Sequence, residues 1–447
     1  MEGCFNGYAQ SSNWAPANNP LFCSETRAFY IDTLLNEMYI VGHITYTDTS
    51  FQQQYICKYS STGWDTIGNF NIAALSLIMF NGDIIIGGFF TSVNGQQMSI
   101  ARYDGTSWHS MGFVNGGIIS NFKLINNELY VMGVFTQIDT VNCCSIAKWN
   151  GTQWMPVNNF NSPGFAGIYD ACEYNGELYV GGNFYNAGVF TDIAVFRNGI
   201  WQNVGQGFFG GLNGLSALTV YKGELYAAGA ILKNAGNVGN GIQKWNGNIW
   251  SEVGTGLQDI NNSFNNYIQV YKMGEYKGDL YVAGDFFYAG NIPAFCAARW
   301  DGIKWCSLGT NQLTDPMLAF GFYKDTLFLS YGGDSLNNQW TNHLIKCTMG
   351  IYIDSCTTVG IDEISNKANS FTFYPNPMHD NITINYVLLN KSVTLQIFNM
   401  LGENVAMFKL EKNSTSTNID IANLPSGVYS VRLGNEKGWL VKRLVKE

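Results

Sequence analysis

The stretch Glu177-Leu178-Tyr179-Val180-Gly181-Gly182 sets the architecture of this chain, because close copies of it recur at a regular interval. Each copy is an acidic residue followed by an apolar run, with Tyr at its second position, that ends at a glycine. The other copies are Glu128–Gly133, Glu224–Gly229 and Asp279–Gly284. Together with the equivalent Gly42 and Gly88, these glycines lie 46, 45, 49, 47 and 55 residues apart, the length of four short strands and their turns.

A stricter pattern marks the second half of each unit: an aromatic residue, a turn, and a tryptophan five residues after the aromatic. The copies run from Tyr59 to Trp64, Tyr103 to Trp108, Trp149 to Trp154, Phe196 to Trp201, Trp245 to Trp250 and Trp300 to Trp305. The turns are often Asn-Gly or Asp-Gly, which supply the positive φ of a tight hairpin. A glycine follows four residues after most of the tryptophans, at Gly68, Gly112, Gly205, Gly254 and Gly309. Each unit therefore predicts a four-stranded antiparallel meander.

Composition agrees with an all-β protein and limits its partners. Of 447 residues, 50 are glycine, 15% are aromatic and only 13% are charged, so apolar segments are short and often interrupted. The net charge of −9 makes nucleic acid an unsuitable partner. No apolar run approaches the ~20 residues of a membrane-spanning helix, so we expect no transmembrane segment.

The repeat array resembles the kelch-like propeller repeats, including those of galactose-oxidase-type domains. Meanders that cannot bury both faces alone must stack, and stacking in a ring leaves only short edges. The resemblance implies a β-propeller over residues 1–356. A seventh, degenerate unit runs through Leu327–Leu329 and Leu344–Cys347, and Trp14–Asn19 reads like the second half of a unit.

We predict seven blades, with the N-terminal segment completing the last blade. In the alternative, Ile351–Ile353 completes the seventh blade, and residues 5–19 are what is left of a truncated eighth blade.

The C-terminal part of the chain carries a separate set of motifs. In order they are Phe373–Pro377, Ile382–Ile384, Gln396–Gly402, Leu424–Tyr429 and the basic end Lys442–Lys446. This series resembles the C-terminal sorting domain of the bacterial type IX secretion system, over residues ~361–447. The resemblance implies the sorting residues Tyr374, Pro375, Asn376, Pro377, Gly402, Leu424, Gly427, Tyr429, Lys442 and Arg443. It also implies a small Ig-like β-sandwich at residues 371–447, a cleavable linker at 357–370, and the type IX translocon and sorting machinery as partners.

A protein with this tail is expected to be secreted, or attached to the outer membrane at the cell surface of a Gram-negative bacterium. The start Met1–Phe5 lacks the basic residues and apolar run of a secretory signal peptide. Since clients of this pathway first need such a signal, we expect the natural N-terminus to differ from this one.

Ten cysteines in an exported chain suggest disulfide bonds. Cys296 and Cys306 flank one turn, and Cys347 and Cys356 flank the matching turn one repeat later, so each pair could join a hairpin. The alternative is small buried thiols. A metal site is not expected, because no Cys-x-x-Cys pair occurs and the four histidines (His43, His109, His343 and His379) are scattered.

No catalytic or cofactor site is predicted either. The repeated tryptophans and tyrosines could stack on sugars, but their recurrence favours packing between blades. Galactose-oxidase chemistry needs copper ligands that these scattered histidines cannot supply. The acids outside the repeat, Asp170, Glu173, Glu275 and Asp285, are expected to be ordinary turn and rim residues and not a facing glycosidase pair.

Function is therefore assigned to loops. The long insertion Gly254–Tyr276 is the first candidate for a contact surface, with Asn261, Asn262, Phe264, Asn265, Asn266 and Tyr267 as its candidate binding residues. We expect a binding or adhesion module for a glycan or protein ligand. The rival hypotheses are an enzyme acting on extracellular polysaccharide and a purely structural surface component.

Overall fold

The computed structural model shows a protein built almost entirely of antiparallel β-strands, with one short 3-10 helix at Lys233–Ala235 among the described residues. The described residues are 14–18, 22–45, 54–114, 116–157, 160, 167–186, 190–209, 214–259, 268–308, 313, 315–336, 338–348, 371–386, 393–399, 403–410, 414–435 and 438–447. The chain divides into two compact units, Met1–Cys356 and Thr357–Glu447.

The described part of the first unit contains seven sheets, each built on four antiparallel strands. In six of them the four strands follow in chain order, and in the seventh the N-terminal strand is the fourth. Sheet 1 has Phe22–Asp32, Glu37–Thr45, Gln54–Ser60 and Gly63–Phe70; sheet 2 has Ala74–Phe80, Asp83–Gly88, Ile100–Tyr103 and Trp108–Gly112; sheet 3 has Ile118–Ile125, Glu128–Val134, Ile146–Trp149 and Trp154–Pro156; sheet 4 has Gly167–Tyr174, Glu177–Asn186, Phe190–Arg197 and Ile200–Asn203. Sheet 5 has Leu215–Tyr221, Glu224–Gly229, Ile242–Trp245 and Trp250–Glu252; sheet 6 has Gln269–Tyr276, Asp279–Asp285, Ala297–Trp300 and Trp305–Ser307; sheet 7 has Phe320–Tyr323, Thr326–Ser330, Leu344–Thr348 and Trp14–Pro16.

The connections between the strands of these seven sheets contain short strands of two residues each. Ser92–Val93 and Gln96–Gln97 extend the edge of sheet 1, and the others form small separate sheets: Gln137–Ile138 with Val141–Asn142, Leu257–Gln258 with Tyr288–Ala289 and Ile292–Pro293, and Ser335–Leu336 with Gln339–Trp340.

Successive sheets pack against one another and the series returns to its start. The first strands of neighbouring sheets are in contact from sheet 1 through sheet 6, and the first strand of sheet 1 also contacts that of sheet 7. Sheets 6 and 7 meet through aromatic rings, with Tyr276 stacked on Phe322 at 3.8 Å between ring centroids. The first strands therefore surround a common centre.

The N-terminal strand completes sheet 7, as the sequence predicted. Trp14–Pro16 pairs antiparallel with Leu344–Thr348, and Trp14 lies opposite Cys347. The alternative, in which Ile351–Ile353 complete the seventh blade, falls on residues that lie outside the described part of the chain.

The repeat glycines are required by a close backbone approach. In sheet 4 the first strand carries an irregularity between Ile168 and Asp170, opposite the end of the second strand. A Cβ atom on Gly182 would lie 1.9 Å from the carbonyl oxygen of Gly167. The equivalent glycines meet a backbone carbonyl oxygen within 2.5 Å, at Gly42, Gly88, Gly133, Gly229 and Gly284. No side chain fits at this position.

Tryptophans join sheets 2, 3, 5 and 6 to the sheet that precedes each of them. Trp108 Nε1 donates a hydrogen bond of 3.1 Å to the carbonyl oxygen of Ile67, next to Gly68, where an added Cβ would lie 2.8 Å from the Trp108 ring. The same bond to the residue before the repeat glycine is formed by Trp154 to Met111 (2.7 Å), Trp250 to Val204 (2.9 Å) and Trp305 to Val253 (3.0 Å). Packing between sheets thus accounts for the spacing of tryptophan and glycine.

The two ends of the sheets differ. Turns of two to four residues, such as Asn81-Gly82 and Asp301–Lys304, connect the first strand to the second and the third to the fourth at one end, which we call the turn end. At the other end, the connection end, run the links from sheet to sheet and the links from second to third strand, which include the long segments 89–99 and 230–241.

The second unit is two antiparallel sheets with a shared core. One has Thr372–Tyr374, Asn381–Asn385 and Ser416–Asp420, and the other has Asn404–Leu410, Val393–Phe398, Gly427–Asn435 and Gly438–Lys446. Ile384, Ile397 and Val431 are among the buried residues that pack between them. The sequence predicts a small β-sandwich at residues 371–447, and the described strands there form two antiparallel sheets.

Candidate functional site

Asp170 lies on the first strand of sheet 4 with its side chain only 7% exposed, so the expectation that it is a turn or rim residue is wrong. Its carboxylate joins three sheets. Lys123 Nζ of sheet 3 lies 2.8 and 3.1 Å from the two carboxylate oxygens. The backbone N–H of Leu218 in sheet 5 donates to Oδ2 at 2.9 Å, and Asn121 Nδ2 of sheet 3 donates to Oδ1 at 3.2 Å.

The hydrogen bonds continue to sheet 2. Ser76 Oγ donates to Asn121 Oδ1 at 3.2 Å and accepts from the backbone N–H of Phe122 at 3.2 Å. We call Ser76, Asn121, Lys123 and Asp170 the inner network. Burial opposes the charge of Lys123, but the Asp170 carboxylate outweighs burial and the pKa of Lys123 is raised. The inner network therefore holds its charges by mutual pairing.

A recess of about 330 Å³ opens where the series of sheets closes. Its walls come from sheets 1, 6 and 7 at the connection end, and they include Glu25, Arg27, Tyr271, Tyr331 and His343. The Arg27 guanidinium donates to the Glu25 carboxylate at 2.9 and 2.5 Å. His343 is held by contacts from Nδ1 to the carbonyl oxygen of Gly332 at 3.0 Å and from Nε2 to the Asp334 carboxylate at 3.3 Å.

The recess is suited to binding a polar ligand. It offers tyrosine rings together with a guanidinium and an imidazole, the mixture of apolar surface and fixed polar groups typical of ligand pockets. Among the described residues that line it, Glu25 is the one carboxylate, and glycoside hydrolysis by a facing carboxylate pair needs two. A second cavity of about 240 Å³ lies at the connection end beside Cys143, Cys144 and Phe160.

Other carboxylates at the connection end are perturbed by burial. Burial raises the pKa of Asp192 to about 7, although the backbone N–H of Phe184 donates to its Oδ1 at 3.2 Å. Burial and the nearby Asp259 raise the pKa of Asp285. In the described part of the chain, no group of three or more His, Cys, Asp or Glu side chains is arranged to hold a metal ion.

Both proposed disulfide pairings are wrong. Cys296 and Cys347 carry free, buried thiols, so Cys296 is not bonded to Cys306, nor Cys347 to Cys356. Cys306 is disulfide-bonded, and its partner is neither of these two. Cys306 lies opposite Arg299, and Cys347 opposite Trp14 and Leu327. Two cysteines that flank a hairpin turn in sequence are therefore not necessarily bonded to each other.

The candidate binding loop Asn261–Tyr267 lies outside the described residues.

In the second unit, the opening motif and the basic end form one surface. The Asn376 side chain accepts a 2.8 Å hydrogen bond from the backbone N–H of Val445 and donates a 3.2 Å bond to the carbonyl oxygen of Arg443. Tyr374 is 57% exposed, and Pro375, Pro377 and Lys442 are exposed as well. Two motifs that are 67 residues apart in sequence are thus presented together to solvent.

Residues 372–447 match the family described as a secretion system C-terminal sorting domain. They are a type IX sorting domain. This prediction from the sequence is confirmed, and the domain marks the chain for export to the cell surface or the extracellular space by the type IX machinery. No family match covers the repeat array, so its kelch-like character stays a prediction. None of the helices in the described part of the chain has the length and apolar character needed to cross a membrane.

No curated protein matches the chain. Among solved structures, an extracellular domain described as part of a hybrid two-component system of B. thetaiotaomicron is 10% identical, covers 96% of this chain and 75% of its own, and has a TM-score of 0.31. A protein of unknown function from Bacteroides thetaiotaomicron is 9% identical, with coverages of 74% and 98% and a TM-score of 0.34. A GH74 enzyme of Niastella koreensis is 12% identical, with coverages of 93% and 84% and a TM-score of 0.32. Likenesses this low carry no argument about function.

Within the sorting domain, the predicted residues divide into surface and supporting positions. Leu424 packs against the core, and the Tyr429 hydroxyl donates to the carbonyl oxygen of Pro425 at 2.6 Å, so these two stabilise the fold. Gly402 lies outside the described residues. Lys446, 6% exposed, donates from Nζ to the carbonyl oxygens of Ile421 and Ala422 at 2.7 and 2.9 Å. Nothing in the basic end of the sequence distinguishes this buried lysine from the exposed Lys442.

Proposed function

We propose that the first unit is a seven-bladed, kelch-like β-propeller that serves outside the cell as a binding or adhesion module. The observation that carries this proposal is the recess of sheets 1, 6 and 7. It combines tyrosine rings with Arg27 and His343 on rigid strands, at the end of the sheets where the long connections run. Ligand sites on rigid scaffolds are typically built from such loops and strand ends.

Binding is favoured over catalysis at this recess. The Glu25 carboxylate is already paired with Arg27, and no second carboxylate is among the described residues lining the recess. We propose a glycan or protein as the ligand, since tyrosine rings and fixed donors recognise sugars and exposed peptide groups alike.

A binding screen tests the proposal. The full chain is applied to an array of glycans and extracellular-matrix proteins, beside three variants: Tyr271→Ala in the recess, Tyr103→Ala near the turn end, and a deletion of Asn261–Asn266. Saturable binding that is lost in Tyr271→Ala and kept in Tyr103→Ala supports the recess. Loss in the deletion variant alone would move the site to the candidate binding loop, and silence of the wild-type protein across the array would overturn the binding function.

We also propose that the exported protein becomes attached to the outer membrane of a Gram-negative bacterium after the sorting domain is removed within residues 357–370. The shared surface of Tyr374 and Lys442 supports recognition of both motifs at once. The test is secretion by a host that has the type IX system. Asn376→Ala, which breaks the link between the two motifs, should reduce surface delivery, while the exposed Thr372→Ala on the adjoining strand should not.

A further inference from the structure

Lys272 occupies the same position in its sheet as three members of the inner network, Ser76, Asn121 and Asp170. All four residues follow the irregularity in the first strand and lie opposite the residue before the repeat glycine: Gly87, Met132, Gly181 and Ala283. The first strands of sheets 2 to 6 contact one another in succession. These four side chains are therefore at one level of the centre that the first strands surround.

Lys272 differs from the network residues in having no hydrogen-bond or ion-pair partner among the described residues. Asn121 and Asp170 make hydrogen bonds to neighbouring sheets, whereas the Lys272 ammonium has neither a hydrogen bond nor an ion pair to any described residue. In the neighbouring sheet 5, the same position holds Ala217, whose methyl group offers no polar contact. The only carboxylate of the network is already bonded to Lys123.

The positive charges of Lys123 and Lys272 outnumber the single negative charge of Asp170 at the centre of the first strands. Burial lowers the pKa of Lys272, the Lys123 ammonium lowers it further, and Asp170 only partly offsets both. Two lysines thus share one aspartate. An uncompensated charge in a region of low dielectric is costly, and the cost falls when an opposite charge arrives. The Lys272 side chain is partly open to solvent, so an ion can reach it.

We propose that Lys272, with Lys123 beside it, binds a single oxyanion, a carboxylate or sulfate group, at the centre of the first strands. A lysine ammonium is a compact charge with three donors, suited to such a group. The group can belong to a free ion or to an acidic sugar. This site is independent of the recess and of its proposed ligand.

Calorimetric titration of the full chain tests the site. The probes are sodium sulfate, sodium acetate and glucuronate, with glucose as the neutral match for glucuronate, at low ionic strength so that charges are weakly screened. We expect saturable binding of anions and none of glucose. Lys272→Met should weaken binding about tenfold or more, and Lys272→Arg should keep most of it. Lys304→Met, at an exposed hairpin of the turn end, should change nothing.

The probes also separate the two sources of the anion. Sulfate or acetate binding as tightly as glucuronate indicates a free ion, and glucuronate binding about tenfold or more tightly than acetate indicates an acidic sugar.

The inference is overturned by no saturable binding of any of the three anions, or by binding to Lys272→Met equal to that of the wild type. Thermal unfolding without anion checks the fold, and Lys272→Met should unfold at the wild-type temperature or above it, because a costly charge is removed. Asp170→Asn gives an independent reading. It removes the competing carboxylate and should tighten anion binding, so unchanged or weaker binding in the folded variant also contradicts the site.

Discussion

The indole Nε1 of Trp14 donates a 2.9 Å hydrogen bond to the carbonyl oxygen of Leu308, 294 residues further along the chain. Leu308 lies three residues after Trp305. In other sheets, the residue three positions after the repeat tryptophan is likewise the one whose carbonyl oxygen accepts this bond. The degenerate seventh unit lacks a tryptophan at the usual distance, and Trp14 takes its place. The N-terminal strand therefore supplies both the last strand of sheet 7 and its bond to sheet 6.

Loss of this contact should destabilise the first unit. Trp14 is 2% exposed, so Trp14→Phe, which leaves the Leu308 carbonyl without its donor, should cost about 1–3 kcal/mol of unfolding free energy. Trp14→Ala also opens a cavity and should cost about 3–5 kcal/mol. Denaturant unfolding measures both, with Trp340→Phe, at a residue 58% exposed, as the control that stays within about 0.5 kcal/mol. Equal stability of Trp14→Phe and the wild type would show that the bond contributes nothing.

The Lys123–Asp170 pair should show strong coupling. Asp170→Asn leaves the ammonium without its counter-charge and should cost about 2–3 kcal/mol, somewhat less than for a fully buried pair because Lys123 is 34% exposed. Lys123→Met combined with Asp170→Asn should recover much of that loss, since no unpaired charge remains. A double-mutant cycle in denaturant measures the coupling. Additive losses from the two single variants would contradict the pairing.

The sequence predicted the strands far better than the inner network. The glycine and tryptophan repeats have local causes that recur along the array: a backbone oxygen within 2.5 Å of the Cβ added at each of six glycines, and an indole bond to the preceding sheet from Trp108, Trp154, Trp250 and Trp305. Because these constraints recur, they are visible in one chain. Lys123 and Asp170 break the repeat, are 47 residues apart, and meet only because neighbouring first strands converge.

The disulfide prediction failed for a related reason. A pair of cysteines flanking a turn is close in sequence, but the register of the hairpin decides which side chains face each other. In sheet 6 that register places Arg299, and not Cys296, opposite Cys306. Register within a hairpin depends on turn geometry and irregularities that the spacing of two residues does not reveal.

Thiol labelling should follow burial. The thiols of Cys296 and Cys347 are fully buried, and burial raises the pKa of each to about 12, so almost no reactive thiolate is present at neutral pH. Cys144 is partly exposed and should be alkylated first among the described free cysteines. Iodoacetamide labelling of the native protein, a second label after denaturation, and peptide mapping measure the order. Failure of Cys296 to take up the second label without reductant would show that its thiol is not free.

Asp192 should make stability fall as the pH rises. Burial raises its pKa in the folded protein to about 7, above the ~3.9 of an unfolded chain, so the folded state holds a proton that the unfolded state has lost. Between about pH 4 and 7 the unfolded state binds fewer protons at Asp192 than the folded state, so the free energy of unfolding falls as the pH rises. Asn keeps the Oδ1 acceptor for the backbone N–H of Phe184 and tolerates the φ of 59° at this position.

Asp192→Asn should therefore match the wild type near pH 4, gain in relative stability up to about pH 7, and keep a constant advantage above it. Thermal unfolding from pH 4 to 8 measures the difference between the two proteins at each pH. Asp65→Asn, at an exposed carboxylate whose Oδ1 accepts from the backbone N–H of Thr66 at 2.8 Å, is the matched control and should show no such rise. A difference that is the same at pH 4 and pH 8 would mean that Asp192 is ionised throughout, and that its burial does not hold the proton.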